Sequence, residues 1–152
     1  MKILTQLIAG AFLFFLLTAP ARSDQLMVVR SSQDFEEAMS TLQAAIKNHG
    51  YQLTKVQRVD VGLEAKGYKT DKYRVVFYGK PDEVAQLAKK HPEIIPYLPL
   101  NIAIFSEVNN TILTSLRPAT LKEFFQDPEL LPIFERWEND LEKILDEVRE
   151  TK

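Results

Sequence analysis

The chain has 152 residues, no cysteine, and a formal net charge of −2 from 19 Lys and Arg against 21 Asp and Glu. The lack of cysteine excludes disulfides, thiolate metal sites, a nucleophilic cysteine and a lipid-bearing cysteine. The mildly acidic balance argues against nucleic acid or anionic lipid as the main partner, because both need a basic face.

Lys2 precedes an unbroken apolar run, Leu7 to Leu17, which leads into Ala19-Pro20-Ala21. A basic start, an apolar middle and a small-residue exit predict a secretory signal peptide. The run is shorter than the roughly 20 apolar residues of a bilayer span. Cleavage is expected after Ala21 or after Ser23. Residues 1–23 then form the signal, and residues 24–152 form one periplasmic or secreted domain with no stable membrane insertion. Loss of Lys2 and Arg22 takes the formal charge from −2 to −4.

Within the mature part, Leu26 to Arg30 (LMVVR) reads as a first or edge strand. Ser31, with Asp34 three residues on, suits a helix cap. Phe35, Ala38, Met39, Leu42, Ala45 and Ile46 recur at helical spacing and predict one apolar face. That helix stops at Asn48-His49-Gly50, where Gly50 can take the left-handed conformation. Tyr51 to Val61 reads as a second strand and Gly62 to Asp71 as a loop. Tyr73 to Tyr78 (YRVVFY) has bulky residues on both faces, as a central strand does. Pro81 opens a helix at its first position, with Val84, Leu87 and Ala88 inside and Pro92 at its end. Three prolines in His91 to Pro99 forbid regular structure throughout, leaving a short helical turn from Pro92.

Asn101 to Glu107 and Thr111 to Leu116 predict a hairpin about Asn109-Asn110. Thr120 and Glu123 read as a capping box for a short helix carrying Phe124 and Phe125. Asp127-Pro128 starts the last helix, with Pro132 delaying or kinking its first turn. Its stripe is Phe134, Trp137, Leu141, Ile144 and Val148. Strands joined by short loops favour antiparallel pairing. The expectation is a two-layer α+β domain, a mostly antiparallel five-stranded sheet with helices on one face.

The blocks Val59-Asp60-Val61-Gly62-Leu63, Tyr73 to Pro81, Pro92 to Ile104 and Asn110-Thr111-Ile112-Leu113 carry a resemblance. Over roughly Val28 to Val148 the chain resembles the domain of unknown function family 302, also called TT1751-like. That resemblance implies a β-α-β4-α layout, similar to helix-grip or TATA-binding-protein-like domains. It implies no activity, and it supplies no functional residues.

His49 and His91 are the two histidines. Each can ligate a metal or haem iron, and each also ends a predicted helix, where it suits the helix dipole. Tyr68, Tyr73 and Tyr78 lie among Lys69, Lys72 and Arg74, a mixture suited to a planar or anionic ligand or to plain strand packing. Phe124, Phe125, Phe134 and Trp137 line a pocket between helix and sheet or simply fill the core. Gly-rich nucleotide fingerprints and nucleophile elbows are absent. The residues assigned to a ligand are therefore His49, His91, Tyr68, Tyr73, Arg74 and Trp137. No catalytic residue, metal set or cofactor is assigned. The functional expectation is an exported, non-catalytic binding or accessory protein for a small apolar or planar molecule or a protein partner. The alternatives are a periplasmic enzyme or haem/metal protein using His49 or His91, and a homodimeric structural module.

Overall fold

Strand β1 (Leu26–Ser31) alternates exposed and buried side chains from end to end, because one of its faces is packed and the other is open. It belongs to a computed structural model that describes residues 25–151. The signal-peptide reading falls outside the described residues. The sheet continues with β2 (Gln52–Arg58), β3 (Tyr73–Gly79), β4 (Leu100–Glu107) and β5 (Asn110–Leu116). Its order is β1-β5-β4-β3-β2, and every neighbouring pair is antiparallel. Strands β2 to β5 form a meander, and β1 closes the far side against β5.

Helix α1 (Phe35–Asn48) carries the chain from one sheet edge to the other, and α4 (Leu131–Glu150) packs beside it. The six apolar residues predicted for α1 are all buried, as is the predicted stripe of α4. They meet Val76, Tyr78, Ile102, Ile104 and Leu113 on one face of the sheet. Two shorter helices, α2 (Val59–Glu64) and α3 (Pro81–Lys90), sit on the same side. Buried Asp60 of α2 pairs with Arg74 of β3, and Glu83 of α3 accepts from the Trp137 indole. Two 3-10 turns, Pro92–Tyr97 and Pro118–Glu123, complete the layer. The domain is a two-layer α+β fold with its helices on one face of a five-stranded antiparallel sheet.

Several local expectations need correction. Asp34, not Ser31, caps α1: its carboxylate accepts from the Glu36 and Glu37 N–H groups at 2.9 and 3.0 Å. Ser31 is still in β1 facing the core, and its hydroxyl donates to the Val148 carbonyl at 3.0 Å. The second strand ends at Arg58, and the expected loop is in part α2. Asp60 turns the chain there by accepting from the Val61 N–H at 2.8 Å.

The β4–β5 turn is Val108-Asn109, one residue earlier than expected, because Glu107 pairs with Asn110. Val108 takes a φ of +48° at a turn position that glycine ordinarily fills. Pro118 sets the start of its 3-10 turn with Arg117 as the capping residue, so Thr120 lies inside the turn. By contrast Gly50 (φ +77°) closes α1 as expected. Gly79 has a steric reason to be glycine, since a Cβ there would lie 2.9 Å from Val84 Cγ2.

Candidate functional site

Among the described residues no helix covers the second face of the sheet. Antiparallel register sets Val28, Thr114, Ala103 and Val75 in one row across that face. Arg30, Ile112, Phe105 and Tyr73 form the next row. Tyr73 and Phe105 are cross-strand neighbours with edge-to-face rings, 6.3 Å between centroids, an arrangement that adds to simple area burial. The segment Thr70 to Lys72 rises beside them, held by the Ser106 N–H donating to the Lys72 carbonyl at 3.0 Å.

These features enclose an open-mouthed cavity of about 390 Å³, lined by Thr70, Asp71, Lys72, Tyr73, Ala103, Phe105, Ser106 and Thr114. Its volume lies at the small end of the roughly 300–1,000 Å³ of ligand pockets. A second hollow of about 360 Å³ shares Asp71, Lys72 and Ser106 with it and reaches the start of α1.

The cavity is apolar on its floor and aromatic wall and polar at its rim. Lys72 Nζ lies 2.6 Å from Glu36 Oε1 and 5.4 Å from the Phe35 ring centroid. Arg74 points through the sheet to the helix side, where its guanidinium pairs with Asp60 and lies over Phe35. Burial alone would push the Asp60 carboxyl up. The Arg74 guanidinium and the Val61 and Tyr73 N–H groups outweigh it and hold that carboxyl below the usual range. This ion pair anchors α2 to the strand that carries Tyr73. Thr114 Oγ1 is buried at the cavity without a hydrogen-bond partner. Chemically the cavity offers aromatic and aliphatic contact, hydroxyls and one carboxylate, with the Lys72 ammonium turned away to Glu36 and Phe35. No imidazole lines it.

Of the six residues expected to bind a ligand, the structure places Tyr73 in this cavity. Arg74 backs it from below. Tyr68 is 64% exposed and is not among the lining residues. Trp137 does not line this cavity: it is 2% exposed, and its Nε1 donates to Glu83 Oε1 at 2.9 Å. Its large ring lies on the stripe that α4 turns to the sheet, so burial claims it.

His49 follows the last residue of α1, with Nε2 2.6 Å from Glu147 Oε1 of α4. His91 is buried after α3, its Nδ1 3.3 Å from Glu93 and 3.7 Å from Asp127, its Nε2 3.4 Å from Glu129. Among the described residues no group of three His, Asp or Glu side chains is set to hold a metal. Sequence reading missed Phe105, Ala103 and Thr114. The available signal was Ala103 and Phe105 alternating with Ile102 and Ile104, which makes both faces of β4 apolar.

The family described as domain of unknown function DUF302 matches residues 27–148. The chain belongs to the DUF302 family. Among solved structures, the DUF302 chain is similar to the crystal structure of an uncharacterized conserved DUF302 protein from Bacillus stearothermophilus. The two share 22% identity with a TM-score of 0.75, covering 84% of this chain and 100% of that one. At that identity the likeness speaks for the DUF302 fold alone. No curated protein matches the chain.

Proposed function

We propose that this DUF302 domain is an exported, non-catalytic binding protein that holds a small planar, largely apolar molecule against the Tyr73–Phe105 pair. The observation that carries the reading is the cavity on the helix-free face, where an aromatic pair meets Asp71 and the hydroxyls of Thr70, Ser106 and Thr114. Such a mixture, mainly apolar with a few polar groups, is the usual build of a small-molecule site. Export rests on the layout of residues 1–23.

A thermal-shift titration with a simple naphthoquinone, a medium-chain fatty acid and haem tests the reading. At a hundredfold excess over Kd a ligand stabilises by about 2.7 kcal/mol, a rise of several degrees in a domain of this size. The naphthoquinone is expected to give that rise, and Phe105→Ala to abolish it while the unliganded protein melts within a few degrees of wild type. No shift with any of the three, or an equal shift in Phe105→Ala, would sink the proposal.

A further inference from the structure

The two edges of the sheet are built differently. The β2 edge carries a bulge between Leu53 and Lys55, and Lys55, Gln57 and Arg58 follow it. A bulge and charges are the usual devices that stop an edge from pairing with another strand. The β1 edge has no bulge. Its six residues pair with β5 in unbroken register, and Leu26 and Val28 are 47% and 56% exposed. Its one charged side chain, Arg30, is tied back across β5 to Glu107 at 2.7 Å. Leu116 of β5, opposite Leu26, adds a third exposed apolar side chain to the same patch.

The ladder shows which backbone groups are free. The Arg117 N–H donates to the Gln25 carbonyl, so Gln25 turns its polar groups toward β5. In an antiparallel pair that direction alternates from residue to residue. Leu26, Val28 and Arg30 therefore turn their N–H and C=O outward. Beside this edge runs a groove of about 380 Å³ walled by Arg117, Glu142, Asp146 and Arg149. Arg117 and Glu142 lie toward the Leu26 end, where Arg117 meets Gln25. Arg149 lies toward the other end, where Ser31 meets its neighbour Val148. Arg117 pairs with Glu138 and Glu142, and Arg149 pairs with Asp146, so neither end presents an unbalanced charge that would repel a second copy.

We propose that β1 pairs with β1 of a second copy of this chain, antiparallel about a two-fold axis at Val28, to make one continuous ten-stranded sheet. In this register Val28 faces its counterpart and Leu26 faces Arg30 of the other copy. All three outward-facing residues then find partners, and a two-fold contact of one patch on itself is the commonest protein symmetry. The inference rests on the sheet edge and not on the cavity, so failure of ligand binding leaves it standing.

Sedimentation velocity of the purified protein tests it, with fold checked by circular dichroism and melting temperature. Wild type is expected at twice the mass of one chain. Val28→Lys and Val28→Glu each place like charges directly opposite on the axis and should weaken association about tenfold or more, giving folded monomers with the wild-type circular dichroism spectrum and a cooperative melt. An equimolar mixture of the two should restore the dimer, because Lys then faces Glu. The chain has no cysteine of its own, so Val28→Cys should cross-link on mild oxidation and Ile95→Cys, at an exposed site elsewhere, should not. A monomeric wild type, a dimer that survives Val28→Lys, or a mixture that stays monomeric would overturn the proposal.

Discussion

The indole N–H of Trp137 donates to Glu83 at 2.9 Å, and the neighbouring Arg136 binds the other oxygen of the same carboxylate. One acidic side chain of α3 thus fastens two consecutive residues of α4, and the largest ring of the core sits at the joint. Packing and hydrogen bonding at this position separate experimentally. Trp137→Ala removes both and should cost about 3–5 kcal/mol, a large part of the ~5–15 kcal/mol that stabilises a domain. Trp137→Phe keeps most of the ring and loses the donor, for about 1.5–3 kcal/mol, the range for hydrogen bonds to charged groups. Urea midpoints of the two variants check this ranking, and equal midpoints would show that the hydrogen bond adds nothing.

Asp60 and Arg74 give the stability an acid limb. The folded Asp60 carboxyl lies below its ordinary value of about 3.9, with burial opposing the shift and Arg74 and two N–H groups driving it. The stabilisation is complete above the unfolded value and is lost as pH falls through the lower folded one. Asp60→Asn leaves the Arg74 cation buried and unpaired, at about 3–5 kcal/mol near neutral pH. Urea titrations from pH 6 down to 2 should show a shallower acid limb for the variant, and an unchanged limb would mean that other carboxylates carry it.

Val108 is a favourable position to improve. It is 95% exposed, so it contributes no packing, and its β-branched side chain is held at φ +48°. Strain of this kind costs about 1–3 kcal/mol. Val108→Gly relieves it and should raise the unfolding free energy, measured by urea denaturation, by about 1 kcal/mol after the glycine's own entropic cost.

The two histidines should differ in cost and agree in function. His49→Gln removes a half-exposed contact with Glu147 and should cost within the ~0.3–1 kcal/mol of a contact at a helix end. His91 is buried between Glu93, Asp127 and Glu129, and His91→Gln should cost about 1–3 kcal/mol as those groups lose a partner. Neither residue lines the cavity, so naphthoquinone affinity should be unchanged in both. A loss of binding in either variant would move the site.

Sequence periodicity was a good guide wherever one face of an element is buried. The faces of α1 and α4 could be read residue by residue, because 3.6-residue spacing converts directly into a stripe. It misled where a single side chain redirects the backbone. Asp60 ends β2 by turning on Val61, and Glu107 pairing with Asn110 moves the hairpin turn onto a valine. Both are decided by partners across the sheet and not by neighbours in the chain. The candidate site was the least legible part. Tyr73 stands out in the sequence for its basic surroundings, yet its ring partner Phe105 stands on another strand. The sheet also turns Arg74, its immediate neighbour, to the opposite side.

Ser31 at the end of β1 and Val148 near the end of α4 are hydrogen-bonded across 117 residues of chain. The strand made first is therefore seated last. A ribosome releasing the chain amino end first delivers β5 and α4 after the other strands and helices. Until β5 has emerged β1 has no strand to pair with, even though β2, β3 and β4 can already form their meander.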